Sequence, residues 1–415
     1  MGTYWGTAES AWRWVLDQVR YDDEVWIPDA VGEELNPRYH YGMYSGVAGL
    51  AHVLAEIRLC RAWTDEEQRL ADVLAAQVRA GIGKVTDCSF FGGLPSAIGV
   101  LTALDAPGRE EAVARTLELS TPDGWAVDFL TADHYLPGAR VHDLGLGTAG
   151  VLLAAVWARR HGVAGAGELA EVAAGVLLAE REEVPVGANW RWIPERFTTN
   201  GYQMPNFSHG LSGIATALAL AGAEFDRPDL VKAAAEGAEH LVTLADLSDG
   251  GFRVWPRLPL DENPFSYGWC HGPTGTSLLW PALRHAGVSE VGGRDVMDWH
   301  RRCLHSIRVS GLPERLYPGF WDNDGRCCGT AGVGDVLLDC GQDLDFALHL
   351  ADVVVSRASP DGAGVCWRFI EHQNEDPLLP PGIGWMQGAA GIAAFLFHAG
   401  RPDSAVARMD NWWVL

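Results

Sequence analysis

No stretch of the 415-residue chain stays apolar for the roughly 18 residues that a membrane-spanning helix needs, which excludes a span from the expectations. The N-terminal MGTYWGTAESAWRW also lacks a basic n-region followed by an apolar h-region, so a secretory signal of ordinary form is excluded and the expected compartment is the cytoplasm. Positive charge is scarce. Lys and Arg total 31 against 54 Asp and Glu, the net charge is -23, and no Lys/Arg cluster offsets it locally. A polyanion would be repelled, so nucleic acid is excluded as a partner while a neutral or basic one is tolerated. Eight cysteines in so long a chain do not read as a disulfide framework in a reducing compartment, which leaves metal binding or simple burial. Disorder is excluded as well, because 48% of residues are hydrophobic, only 20% are charged and the mean hydropathy is -0.01.

The length alone would allow two or three domains, and an internal repeat decides between them. A G-x-x-G followed by an apolar run occurs seven times, beginning at Gly46, Gly93, Gly147, Gly210, Gly272, Gly329 and Gly388. The second copy is degenerate, with Ser96 in place of the last glycine. Successive copies lie 47, 54, 63, 62, 57 and 59 residues apart, enough for two helices and a long loop each. Each motif opens an Ala/Leu/Val-rich helix that is apolar nearly all round, as in VAGLAHVLAEI and TAGVLLAAVWA, and such helices are buried. Amphipathic segments lie between the copies, over 65–81, 167–182, 229–246 and 293–307, and read as outer helices. Neither set can hide its apolar surface alone, whereas a closed ring hides both. The expectation is therefore an all-α protein, an α/α toroid of seven inner and seven outer helices, formed by residues 1–415 as one domain. Glycines suit the close approach of backbones at the starts of the inner helices, and the converging N-termini are expected to favour anions and thiolates.

Three copies carry metal-type residues just before the first glycine: Ser208-His209-Gly210, Trp269-Cys270-His271-Gly272 and Arg326-Cys327-Cys328-Gly329. Equivalent positions of copies five and six would be neighbours in a ring, so Cys270, Cys327 and Cys328 can meet around one ion. Three thiolates suit Zn²⁺, and three protein ligands leave a fourth position open, as in catalytic sites. Cys60, Cys88, Cys303, Cys340 and Cys366 have no such placement and read as packing residues. Aromatic stretches at 188–197, 249–258 and 361–369 read as small hairpins whose Trp residues either hold a peptide or close a loop core.

The segments FSHGLSG, GWCHGPTG and GRCCGTAG resemble the three signature segments of the lanthionine synthetase C (LanC) family, and the resemblance covers nearly the whole chain. It implies a zinc ion held by Cys270 and Cys327, with Cys328 standing where the usual form has His, as in the family's Cys-Cys-Gly variant. It also implies an activity, in which a peptide cysteine adds to the β-carbon of a dehydroalanine or dehydrobutyrine and the resulting enolate is protonated. Zinc would lower the thiol pKa from about 8.5. His209, matching the family's histidine of the fourth repeat, is the implied acid and base; His271, where several members have Tyr, could orient or protonate instead. Asp143 matches a family carboxylate that could hold a histidine tautomer, although a helix-capping role is the alternative for it. The family's arginine four residues before the first ligand is Ser266 here, with Arg326 or Arg257 as substitutes.

The partner implied is a dehydrated precursor peptide, and since the repeats use up the chain, its dehydration falls to a separate dehydratase. Two other readings stay open: addition of glutathione or another small thiol to dehydroamino acids in proteins, and a non-catalytic peptide-binding scaffold with structural zinc. Glycoside-processing α/α toroids would need two facing carboxylates, of which the sequence offers only Asp143 clearly.

Overall fold

The computed structural model describes residues 2–33, 36, 39–127, 130, 133–199, 201–259, 265–314, 323–370 and 378–401. Fifteen α-helices carry the fold among them: α1 (Gly2–Gln18), α2 (Leu50–Cys60), α3 (Asp65–Gly81), α4 (Leu94–Ala103), α5 (Arg109–Glu118), α6 (Thr148–Arg160), α7 (Ala166–Ala179), α8 (Leu211–Glu224), α9 (Pro228–Leu244), α10 (Pro273–Thr276), α11 (Leu279–His285), α12 (Val296–Arg308), α13 (Thr330–Cys340), α14 (Leu344–Arg357) and α15 (Ala389–Ala399). The strands are two to four residues long and pair only into two-stranded antiparallel ribbons. None of the described helices is long and apolar enough to cross a membrane.

Two compact units divide these elements, one from Met1–Gly81, Val100–Pro107 and Gly311–Asn411, the other from Ile82–Gly99 and Gly108–Ser310. In the first unit the inner helices α13, α15 and α2 pack in series, and α1 lies against α15 as its outer partner. In the second unit α6, α8 and α11 pack in series, with α7, α9 and α12 behind them. The inner helices are buried all round: α8 from Leu211 to Gly222, α6 from Thr148 to Ala158. The outer ones bury a single stripe, such as Leu70, Ala71, Leu74 and Val78 of α3 or Leu230, Ala233, Ala234, Gly237, Ala238 and Leu241 of α9. Each fully buried Leu in these stripes contributes about 1.5–3 kcal/mol.

The second glycine of the motif is fixed by packing. A Cβ on Gly150 would overlap the Leu144 carbonyl and crowd Phe90, one on Gly213 the Phe207 carbonyl and Leu144, and one on Gly275 the Trp269 carbonyl and Phe207. In the other unit Gly49 meets Met43 and Trp385, and Gly391 meets Trp385 and Arg326, in the same way. At these five motifs the inner helix therefore starts against the residue three places ahead of a neighbouring motif.

The loop before each motif also caps its helix. Thr148, Ala149 and Gly150 donate their N–H groups to the carbonyls of Val141, His142 and Asp143, seven residues back, at 3.0–3.3 Å. Leu211 and Ser212 do the same to Met204 and Pro205, Thr330 to Asn323, and Ala389 to Gly382. The expected anion-attracting helix ends are thus corrected at these helices, because loop carbonyls already take donors that a ligand would need.

The fifth inner helix is interrupted between α10 and α11 for a local reason. Pro281 has no N–H to offer the carbonyl of Ser277. His300 of α12 supplies the missing donor, its Nδ1 lying 2.9 Å from that oxygen, and burial holds the imidazole pKa below its usual value. Tryptophans close the outer loops. Trp125, Trp190 and Trp367 each donate their indole N–H to a late carbonyl of the preceding outer helix, at Thr116, Leu177 and Val354. Of the three aromatic stretches, 188–189 pairs with 182–183 and 364–366 with 359–361, whereas 249–258 holds only isolated bridges.

Candidate functional site

Three residues of every motif have fixed roles, set by the turn that enters the helix. The residue three places before the first glycine is core: Phe90, Leu144, Phe207, Trp269 and Trp385 are all buried there. Backbone bonds link the position two places before from repeat to repeat. Gly145 N–H donates to Ser208 O and Ser208 N–H to Cys270 O, both at 2.9 Å, while Cys327 N–H donates to Met386 O at 2.8 Å. The residue immediately before the glycine is the one that emerges. Ser45, Leu146, His209, His271 and Gln387 are all half-buried at that place, and Cys328 alone among the sequence-predicted residues there is buried.

An Asx turn sets that emerging residue in two repeats. Asn206 Oδ1 accepts the His209 N–H at 2.9 Å, and Asp143 Oδ1 accepts the Leu146 N–H at 2.6 Å. Asp143 is fully buried, and its other oxygen lies 2.7 Å from His209 Nδ1. A carboxylate only accepts, so Nδ1 carries the proton and Nε2 is left for exchange with a substrate. The two alternatives for Asp143 are thereby combined in one side chain: one oxygen closes the turn ahead of α6, the other orients an imidazole. The His271 ring lies 5.6 Å from that of His209, tilted by 36°.

Among the described residues, one group could hold a metal ion: the sulfurs of Cys270, Cys327 and Cys328, all buried, lie within 4.8 Å of one another. The Cys327 and Cys328 sulfurs are 3.4 Å apart. Tetrahedral zinc at about 2.3 Å from each sulfur would set its ligands about 3.8 Å apart, so the donor set and its spacing fit that ion. The other five cysteines are free thiols with no such grouping among the described residues. Burial raises the thiol pKa of each, to about 12 for the fully enclosed Cys303, which keeps them protonated and inert.

Neither arginine named as a substitute is placed as a free cation. Arg326 is buried, stacks on Trp385 at 4.8 Å and pairs with Asp335 of α13 at 2.5 Å, whose other oxygen lies 2.9 Å from His398 Nδ1. It fills a place that is aromatic or aliphatic in other repeats, and the acid in α13 compensates for it. Arg257 lies over the Tyr202 ring at 4.7 Å. Ser266 is fully buried.

Two residues beside His209 carry no signal in the motif spacing. Trp192 stands edge-on to the His209 ring at 6.4 Å, and Tyr135 edge-on to Trp192 at 6.3 Å. The backbone N–H of His142 donates to Trp192 O at 2.7 Å and holds that loop in place. The His142 ring is fully enclosed, with Nδ1 3.1 Å from Thr148 Oγ1, and burial pushes its pKa down to about 4.

A family described as lanthionine synthetase C-like protein matches residues 37–410. Among solved structures, one named nisin cyclase aligns with a TM-score of 0.56 at 13% identity, over 91% of this chain and 92% of its own. The Lin0763 protein from Listeria innocua aligns with a TM-score of 0.50 at 10% identity, over 96% of this chain and 97% of its own. No curated protein matches the chain by sequence. The fold expected from the repeats is the one found: all-α, an α/α toroid.

Proposed function

Because the chain belongs to the lanthionine synthetase C-like family, we propose that it is a peptide cyclase, which closes (methyl)lanthionine thioether rings in a dehydrated lanthipeptide precursor. The observation that carries this reading is the trio of buried sulfurs at Cys270, Cys327 and Cys328. They would hold Zn²⁺ through three ligands and leave one place for an incoming thiol. Bound there, zinc would lower the thiol pKa from about 8.5 so that thiolate is present at neutral pH.

The rest of the chemistry falls to the imidazoles. Asp143 fixes the Nδ1–H tautomer of His209, so Nε2 accepts the proton released by the substrate thiol. The sulfur then bonds to the β-carbon of the dehydroamino acid, the C=C π pair moves onto the α-carbon and its carbonyl, and Nε2 returns the proton to the α-carbon. Atoms balance without any other reactant. His271 is the second imidazole near enough to orient the enolate oxygen or to share the proton. Three thiolates rather than two would make the ion's environment more anionic and the substrate sulfur more nucleophilic. On this reading residues 1–415 act as one cytoplasmic catalytic domain, and a separate dehydratase supplies the substrate.

The test is to incubate purified protein with a dehydrated, cysteine-bearing precursor. Addition leaves the mass unchanged, so ring closure is read as loss of alkylatable thiol. Parent activity that disappears in Cys270→Ala and falls in His209→Ala is the expected result. Turnover only when glutathione is added, on a peptide with no cysteine of its own, would transfer the chemistry to a small-thiol ligase. No turnover in the parent would leave a scaffold.

A further inference from the structure

The second unit carries a row of rings leading away from His209 that the proposed chemistry does not use. Beyond the imidazole itself its members are Trp192, with its ring centroid 6.4 Å from that of His209, and Tyr135, 6.3 Å from Trp192. Trp192 belongs to a small satellite core with Val127, Val141 and Ile193, and Tyr135, Leu146, Phe197 and Met204 pack on it while staying half-buried. Two arginines lie over Phe197, Arg196 at 4.7 Å and Arg140 at 5.9 Å. The nearer one is committed to Glu180 and Asp123. Backbone bonds hold both aromatic segments: that of Tyr135 bridges to Thr198, and the Trp192 carbonyl accepts from the His142 N–H.

Such a shelf is pre-formed, apolar on its face, and continuous with the imidazole assigned to the reacting carbon. Its spacing selects an occupant. An extended peptide rises about 3.3 Å per residue, so side chains on one face recur about every 6.6 Å, close to the two ring intervals. We propose that this row is a specificity subsite of the cyclase site, taking apolar side chains at the second and fourth residues from the dehydroamino acid, on one flank of an extended substrate. The proposal rests on the cyclase reading for what sits at His209. Trp192 underlies the nearer side chain and Tyr135 the farther one. An acidic side chain is disfavoured twice, by loss of water on an apolar face and by the nearby Asp143 carboxylate; the same two causes, burial first and that charge second, raise the Tyr135 pKa.

The probes are nine-residue peptides with one central dehydroalanine, no cysteine, and Ala elsewhere except Leu or Asp at one of the four places on either flank. Binding is measured by tryptophan fluorescence with the full-length protein. Leu is expected to bind about tenfold tighter than Asp at both places on one flank, with no preference at the first or third place. Tyr135→Ala should flatten the preference at the fourth place and spare the second; Tyr135→Phe should keep both. Equal binding of the Leu and Asp peptides, or equal losses in Tyr135→Ala and Tyr135→Phe at every position, overturns the subsite. The wild-type series alone decides if Tyr135→Ala does not fold. Cysteine-bearing versions report separately on chemistry: ring closure without positional preference sinks the subsite alone, and preference without ring closure sinks the cyclase reading.

Discussion

Replacing Asp143 with Asn tests the His209 pair most sharply, because the two oxygens of this buried carboxylate do different work. Asn keeps an acceptor for the Leu146 N–H, so the turn ahead of α6 is retained. At the other oxygen it presents an amide N–H to His209 Nδ1, where a donor already stands at 2.7 Å. Two donors cannot face each other at that distance, and the ring relieves the clash by moving its proton to Nε2. The substrate then meets a donor where it needs an acceptor. Positioned acid and base groups contribute roughly 10²–10⁴-fold, so the loss in ring-closure rate should be about 10²–10³-fold, or about 3–4 kcal/mol in the barrier.

Stability should change by no more than about 1 kcal/mol, since a hydrogen bond is exchanged rather than deleted. Metal content should not change at all. A second readout separates orientation from mere structure, namely the ratio of epimers at the new α-carbon. A histidine that delivers its proton to one face gives one epimer, and the Asn variant, left to solvent protonation, should give a mixture. The assay is thiol alkylation followed over time, with chiral analysis of the hydrolysed product and denaturant melts as controls. A variant that retains rate within about threefold and a single epimer would refute the role given to this pair.

Zinc analysis of the purified protein should give about one equivalent, lost in Cys270→Ala, Cys327→Ala or Cys328→Ala and retained in Cys60→Ser, whose thiol lies outside the trio. Acid should destabilise the fold over a defined window. His142 stays neutral in the folded chain down to about pH 4, while the unfolded chain binds a proton from about 6.5, so its contribution is complete above pH 6.5 and is lost as pH falls toward 4. The loss is about 3 kcal/mol in denaturant titrations, and His142→Asn should shrink it. His300 acts with the same sign. Glycine substitutions should separate the two kinds of helix. Gly213→Ala should cost more than about 3 kcal/mol or prevent folding, because its methyl overlaps the Phe207 carbonyl. Gly175→Ala on the exposed side of α7 meets nothing within 4 Å and should stabilise by about 0.5–1 kcal/mol, both read from denaturation midpoints.

The elements most legible in the sequence are those whose cause is local. The stripe over 65–81 is α3 residue for residue, and 229–246 is α9 within two residues at its end, because a 3.6-residue period and an acidic first turn act within the helix itself. The glycine register was legible too, since each copy faces the same neighbouring backbone. What stayed hidden depends on partners far along the chain. The break at Pro281 was visible as a proline in TSLLWPALRH, but its cure by His300 was not, because nothing in the sequence ties α12 to that one carbonyl. The ion pair of Arg326 had a better signal, two aspartates, Asp335 and Asp339, inside the mostly apolar α13, where burial calls for a basic partner.

The candidate site divides along the same line. Cys270, His271, Cys327, Cys328 and His209 stand at two adjacent places in the motif, so their proximity could be argued from the repeat alone. Asp143 was reachable by the same counting, because the Asn206 and Asp143 turns occupy one repeat position and each holds the residue three places on. Trp192 and Tyr135 obey no repeat. They lie in loops of unequal length, which is where relatives sharing one toroid can differ in what they accept. A fold built from seven similar units fixes the reacting groups by symmetry, and leaves selectivity to the segments that break it. On the proposed cyclase and subsite readings, sequence comparison within the motifs identifies the chemistry of such a chain before it identifies the peptide, and the residues to vary for a change of substrate are those around Trp192 rather than those around the sulfurs.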